Sequence, residues 1–147
     1  MIESVAYIAP DGQCEYHPLD DPAVVWQSPD AFAEAWMAER RSDDLGPTWT
    51  FLWHACADVQ PGVVTVVIAL AKAAADDRQL LSEIGAGPLE DLIRHAGNNH
   101  ELLDEIERAA RQEPAFRDAL ASMWLSSDVP GHVRQRLVPF GVADLSV

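Results

Sequence analysis

The sequence of 147 residues contains only two cysteines, Cys14 and Cys56, which lie far apart and have no CxxC spacing. This scarcity argues against a disulfide framework and predicts a reduced, cytoplasmic protein with two ordinary thiols. A chain of this length buries about 68–70% of its unfolded surface, so folding requires neither disulfides nor a metal. We therefore expect a single domain over residues 1–147, without a cofactor.

Basic residues are also scarce, because ten lysines and arginines stand against 24 acidic residues and the formal net charge is −14. Nucleic-acid binding depends on basic side chains that neutralise phosphates, so the composition argues against a nucleic-acid partner. An anionic membrane surface is disfavoured for the same reason. The longest apolar run, residues 63–75, is shorter than the roughly 20 residues of a membrane span. The N-terminus also lacks the basic and apolar regions of a secretory signal.

No catalytic signature stands out in the sequence. Asp91 and His95 are four residues apart on one predicted helix face, where a carboxylate could orient an imidazole as a general base. The alternative, which we favour, is a surface ion pair with His95 near a helix C-terminus, where its charge suits the helix dipole. We predict no catalytic residue.

Metal ligands are not arranged as a site requires. His54, Cys56 and Asp58 follow each other at a spacing of two, which directs side chains to different helix faces. His95 and His100 supply only two ligands, whereas zinc takes three or four. We predict no metal site.

Residues 1–27 predict a β-hairpin followed by a connector. Residues 5–8 and 13–16 favour strands, and the intervening Pro10, Asp11 and Gly12 are typical of a tight turn. Residues 18–27 contain two prolines and predict an extended connector.

Residues 28–137 predict a bundle of about seven short helices. Ser28 and Pro29 form a helix start, and residues 61–75, apolar nearly all round, predict a central helix. Residues 85–88 contain two glycines and a proline, which predicts a helix stop and restart. The fold class is therefore mainly α, a single domain of stacked helical hairpins resembling a HEAT-like bundle, with a short N-terminal β-hairpin.

Five tryptophans are many for this length. Trp36, Trp49, Trp53 and Trp124 fall on predicted apolar helix faces, so we expect them in the core. Trp26 lies in the predicted connector, and we expect it to be partly exposed as an interface anchor, although packing onto the first helix explains it equally well.

Acidic residues are concentrated in the first part of the chain, where residues 1–62 carry eleven acids and two bases. Such a field could steer a basic partner, while solubility is the simpler explanation. The predicted partner-binding residues are Asp20, Asp21, Asp43 and Asp44, with Trp26 as an apolar anchor.

Residues 86–93 read Ala-Gly-Pro-Leu-Glu-Asp-Leu-Ile. This run resembles the signature of a family of small bacterial proteins of unknown function, whose consensus is close to Ala-Gly-Pro-Leu-Glu-Asp-Leu-Leu. The agreement covers about residues 48–137 and leaves residues 1–45 outside it. Ile93 replaces the commoner leucine. The resemblance implies no activity.

The sequence predicts a non-enzymatic protein-binding module. In its sharpest form this is an acidic immunity or antitoxin-like protein that masks a basic toxin. One alternative is an adaptor or scaffold subunit of a larger complex, and another is a small hydrolase that uses Asp91 and His95. The oligomeric state is not predicted by any of these patterns.

Overall fold

A three-stranded antiparallel sheet begins the fold in the computed structural model, which describes residues 5–42, 46–97, 99–125 and 129–144. Its strands are β1 (Val5–Ile8), β2 (Cys14–His17) and β3 (Val24–Trp26), in the order β1-β2-β3. The predicted hairpin is confirmed, and the N–H of Gly12 donates to the carbonyl of Ala9 at 2.8 Å in its turn. The prediction of an extended connector over residues 18–27 is wrong for Val24–Trp26, because these residues form β3 and pair with β2.

The remainder of the described chain is mainly helical, as the sequence predicts. No helix among the described residues is long and apolar enough to cross a membrane. The helices are α1 (Pro29–Arg41), α2 (Pro47–Ala57), α3 (Val63–Ala73), α4 (Arg78–Ile84), α5 (Glu90–Ala96), α6 (His100–Gln112), α7 (Pro114–Ala121) and α8 (Gly131–Leu137), with a π-helical turn (Gly85–Leu89) between α4 and α5.

Helices α1 and α6 begin after residues whose side chains cap them, and Ser28 is a predicted cap. The hydroxyl of Ser28 accepts the N–H of Ala31 at 3.0 Å, and the side chain of Asn99 accepts the N–H of Leu102 at 3.1 Å. Each of these side chains satisfies a backbone donor that the first helical turn leaves without a partner. Local sequence therefore determines where α1 and α6 begin.

The centre of the bundle is α3, which confirms the prediction from its apolar composition. Seven of its residues are buried, and it contacts α1, α4, α6 and α7. A HEAT-like stack is not confirmed, because in such a stack each hairpin contacts only its neighbours. Here helices from both halves of the bundle pack around one central helix.

Trp26 connects the sheet to the bundle. Its ring lies 4.9 Å from that of Phe32 on α1 and 5.5 Å from that of Phe51 on α2, in edge-to-face geometry. The indole is only 9% exposed, so the expectation that Trp26 is partly exposed is wrong. Pairing of β3 with β2 turns this side chain towards the helices, and the alternative of packing onto the first helix is the one observed.

The C-terminal part of the described chain returns to extended structure. Helix α7 ends at Ala121, and β4 (Trp124–Leu125) pairs in parallel with β5 (Ala143–Asp144). Trp124 is therefore in a strand, and the helical spacing that predicted an apolar face for it does not apply. Strand alternation buries Leu125 and leaves Trp124 54% exposed, so the prediction of a core position for Trp124 is wrong.

Candidate functional site

An apolar groove of about 290 Å³ lies where α1, α2, α4, the π-helical turn and α5 meet. Its floor is formed by Trp36 and Leu52, which are nearly fully buried. The groove, which we call the tryptophan groove, is lined by Trp36, Arg40, Trp49, Leu52, Trp53, Glu83, Ala86, Gly87, Pro88 and Asp91.

Two half-exposed indoles form one wall. Trp49 and Trp53 are four residues apart on α2 and are 49% and 54% exposed. The expectation that they pack in the core is wrong, because another set of α2 side chains already occupies the helix face towards the bundle. That buried set is Thr48, Phe51, Leu52, Ala55 and Cys56. Trp49 and Trp53 each follow a residue of this buried set by one position, which places them beside the buried face and not within it.

Another part of the lining comes from the π-helical turn, which contains the first part of the family-like motif. Gly85 adopts a right-handed helical conformation, with φ of −66° and ψ of −48°, so the predicted helix stop at residues 85–88 is wrong. The chain instead continues from α4 through the π-helical turn into α5. A π turn accommodates Pro88, which lacks an N–H, inside a continuous helical segment. As a result, Gly87 and Pro88 face the groove.

The two glycines of this turn have different structural roles. A Cβ atom at Gly85 would lie 2.0 Å from the carbonyl oxygen of Ala119 on α7, so this position excludes any side chain. A Cβ atom at Gly87 would meet nothing within 4 Å, and its φ is not in the left-handed region. Packing therefore requires glycine at position 85 but not at position 87.

A charged pair contributes to the groove lining. The guanidinium of Arg40 donates to Oε1 of Glu83 at 3.0 Å and lies 5.9 Å from the centre of the Trp49 ring. Oε2 of Glu83 is buried and has no hydrogen-bond partner among the described residues. Asp91 is 3.6 Å from the guanidinium of Arg94. The charged lining residues are thus one guanidinium, already bonded, and two carboxylates.

The start of α2 is attached to α1 by a carboxylate. Oε1 of Glu39 accepts the hydroxyl of Thr48 at 2.8 Å and its backbone N–H at 3.3 Å. This contact takes the place of a side-chain cap, since Gly46 at the N-cap supplies none. A Cβ atom at Gly46 would lie 2.2 Å from Oε1 of Glu39, so glycine permits the close approach. The contact positions both tryptophans of α2 relative to α1.

Of the predicted partner-binding acids, the structure describes only Asp20 and Asp21, which do not line the groove. Asp20 and Asp21 are exposed in the segment between β2 and β3. Asp43 and Asp44 lie outside the described residues. Trp26, predicted with them as an apolar anchor, belongs to the buried cluster with Phe32 and Phe51. The sequence prediction chose these acids because acidic residues are concentrated in residues 1–62.

The pair formed by Asp91 and His95 does not have the geometry of a general base. Nδ1 of His95 lies 2.8 Å from the backbone carbonyl of Asp91, not from its carboxylate. The Asp91 carboxylate instead faces Arg94. A general base in such a pair is oriented by a carboxylate, whereas the hydrogen bond of His95 within the described part of the chain is to this backbone carbonyl.

The two thiols are poorly suited to nucleophilic chemistry. Burial raises the pKa of Cys14 to about 12. Burial and the nearby Asp91 carboxylate raise the pKa of Cys56 to about 12. Since the thiolate is the reactive form, both remain protonated and inert near neutral pH. No group of three or more potential metal ligands occurs within the part of the chain that the structure describes.

Comparison with known proteins identifies a family and no activity. Residues 37–140 match DUF6869, a family of unknown function. The match begins in α1, earlier than the resemblance at residues 48–137 suggests, and it includes every residue of the tryptophan groove except Trp36. Neither the curated proteins nor the solved structures contain a match.

Proposed function

The chain belongs to the DUF6869 family of unknown function, and we propose that it is a non-enzymatic protein-binding module whose tryptophan groove accepts a segment of a partner protein. The observation that supports this proposal is the pair of half-exposed indoles, Trp49 and Trp53, beside an apolar floor. Exposing two large apolar side chains to water is unfavourable, and tryptophan is among the residues that contribute most to protein interfaces.

A protein segment suits this groove better than a metabolite does. The volume of about 290 Å³ lies at the lower end of the range for small-molecule pockets, roughly 300–1,000 Å³. The lining is mainly apolar, with three charged residues among its ten, whereas metabolite sites place several polar groups around the ligand. The apolar floor and the indole wall offer a surface onto which a partner side chain can insert.

The sharper form of the proposal is an immunity or antitoxin-like protein that masks a basic toxin in the cytoplasm. It is supported by the net charge of −14 and by the exposure of Asp20 and Asp21, while the two free thiols fit a reducing compartment. The acidic part of the chain would steer the partner, and the groove would hold it. An adaptor or scaffold subunit is the alternative, in which the groove acts without charge steering.

Comparing Trp53→Ala with Trp124→Ala tests the groove. Both indoles are 54% exposed, but only Trp53 lines the groove. Proteins captured from a lysate of the source organism are identified by mass spectrometry, and their affinities for each variant are measured. We expect Trp53→Ala to weaken binding about 30-fold, equivalent to about 2 kcal/mol, and Trp124→Ala to change it less than about twofold. Equal effects of the two substitutions would exclude the groove as the contact surface.

Charge reversal distinguishes the immunity form from the adaptor form. Changing Asp20, Asp21, Asp43 and Asp44 to lysine should slow association with a basic partner by about tenfold or more at low salt. Dissociation should change little, because these acids act mainly before contact. The measurement is association kinetics at several salt concentrations. An association rate and a salt dependence equal to those of the unaltered protein would favour the adaptor.

A further inference from the structure

We propose that the tryptophan groove recognises a basic side chain, arginine or lysine, carried by an otherwise apolar segment of the partner. The inference rests on the proposed function and specifies the chemistry of the occupant. Its elements are an open position at Gly87, the indole of Trp53, and two carboxylates against one guanidinium among the lining residues.

Gly87 indicates that the groove accommodates something bulky. Glycine inside a helical segment costs about 0.5–1 kcal/mol relative to alanine, and neither backbone conformation nor packing requires it here. A side chain at this position would project into space that belongs to the groove. The absence of a side chain therefore leaves room for an occupant to approach the helix backbone closely.

The charge of the lining favours a cation. Among the charged lining residues, Glu83 and Asp91 outnumber Arg40, and Arg40 is already bonded to Glu83. Oε2 of Glu83 has no hydrogen-bond partner among the described residues, and the contact of Asp91 with Arg94 is 3.6 Å long. The Glu83 oxygen has almost no surface accessible to an occupant, whereas the Asp91 side chain is 32% exposed, so a basic group in the groove can pair with Asp91. An acidic occupant would meet two like charges.

The aromatic wall suits the stem of a basic side chain. Arginine and lysine place their methylene groups along apolar surface while the charged end stays near polar groups. Indole faces also attract cations, as the position of Arg40 over Trp49 illustrates within this protein. Trp53 is the more exposed of the two indoles and is free of this arginine contact. Because Trp53 and Asp91 line the same groove, we expect an arginine or lysine that lies against Trp53 to pair with the Asp91 carboxylate.

The test uses a random twelve-residue peptide library, selected against the full chain and against Gly87→Leu and Trp53→Ala. Peptides that bind the unaltered protein but neither variant define groove binders. We expect them to contain an arginine or lysine next to large apolar residues. Each is resynthesised with glutamine in place of the basic residue, and its affinity is measured for the unaltered protein, for Asp91→Asn and for Asp118→Asn. Asp118 is an exposed acid outside the groove and controls for the loss of one charge.

We expect the glutamine peptide to bind the unaltered protein at least tenfold more weakly. This loss should shrink several-fold in Asp91→Asn and stay unchanged in Asp118→Asn, which identifies Asp91 as the counter-charge. Groove binders without a basic residue, or equal losses in all three proteins, would overturn this inference and leave the proposed function standing. If no peptide is sensitive to Gly87→Leu or Trp53→Ala, both the inference and the proposed function fail. Circular dichroism and thermal unfolding confirm that each variant is folded.

Discussion

Replacing Trp26 with alanine is expected to lower the free energy of unfolding by about 3–5 kcal/mol. The indole packs edge-to-face against Phe32 and Phe51, so its removal leaves a cavity where β3, α1 and α2 meet. Aromatic pairs of this geometry contribute beyond the apolar area that they bury. The measurement is urea denaturation followed by circular dichroism.

A neighbouring residue of the same strand provides the control. Val25 points outwards and is 42% exposed, so Val25→Ala should change stability by less than about 1 kcal/mol. Partner binding should survive Trp26→Ala under conditions where the variant remains folded. A Trp26→Ala variant that is as stable as the unaltered protein but has lost its partner would restore Trp26 as an interface anchor.

Replacing Gly85 with alanine is expected to cost about 3 kcal/mol, the upper part of the usual range for overpacking. The new Cβ atom would lie 2.0 Å from a backbone carbonyl oxygen, that of Ala119, and backbone yields less readily than a flexible side chain. Relief requires α4 and α7 to move apart, which exposes the apolar contacts between them. The measurement is the midpoint and slope of urea denaturation.

Gly87→Ala is the matched control, since it makes the same chemical change two residues away. Its Cβ atom meets nothing within 4 Å, so we expect stability to rise by about 0.4–1 kcal/mol. The two variants should therefore shift the denaturation midpoint in opposite directions. Similar losses of stability in both would show that the π-helical turn, and not the contact with Ala119, requires glycine.

Local chemistry explains which parts of the fold could be predicted from the sequence. The caps Ser28 and Asn99 act within one helical turn, so their effect can be inferred from a few neighbouring residues. The β1–β2 turn is similarly local, and Gly12 adopts the φ of 95° that favours glycine. The composition of α3, apolar nearly all round, predicts its central position without knowledge of its neighbours, and seven of its residues are buried.

Features that depend on distant contacts were not predicted. The helix stop expected at residues 85–88 is absent because Gly85 is used for close contact with α7, more than thirty residues away in sequence. Trp26 is buried because β3 pairs with β2 in the sheet. The two prolines before β3 did not indicate a strand. The exposure of Trp124 was not predicted for the same reason. It depends on where α7 ends and on the pairing of β4 with β5.

The groove itself was missed, although one signal for it exists in the sequence. Helix α2 contains more large apolar residues than a single buried face can hold, and Thr48, Phe51, Leu52, Ala55 and Cys56 already complete that face. Trp49 and Trp53 then have no place on the buried face of α2, so they either pack against another helix or strand or stay exposed. The part of the lining formed by Gly87 and Pro88 could not be predicted, because the position of these residues follows from the π-helical turn.

The unbroken connection between α4 and α5 has a mechanical consequence for the groove. Gly85 is locked against α7, so the wall formed by Gly87 and Pro88 is preorganised and binding need not order it. The indoles of Trp49 and Trp53 can still change rotamer, because half of each faces solvent. Under the proposed function, substitutions at positions 49 and 53 are therefore expected to change which segment the groove accepts, while the helical framework behind Gly87 and Pro88 stays the same.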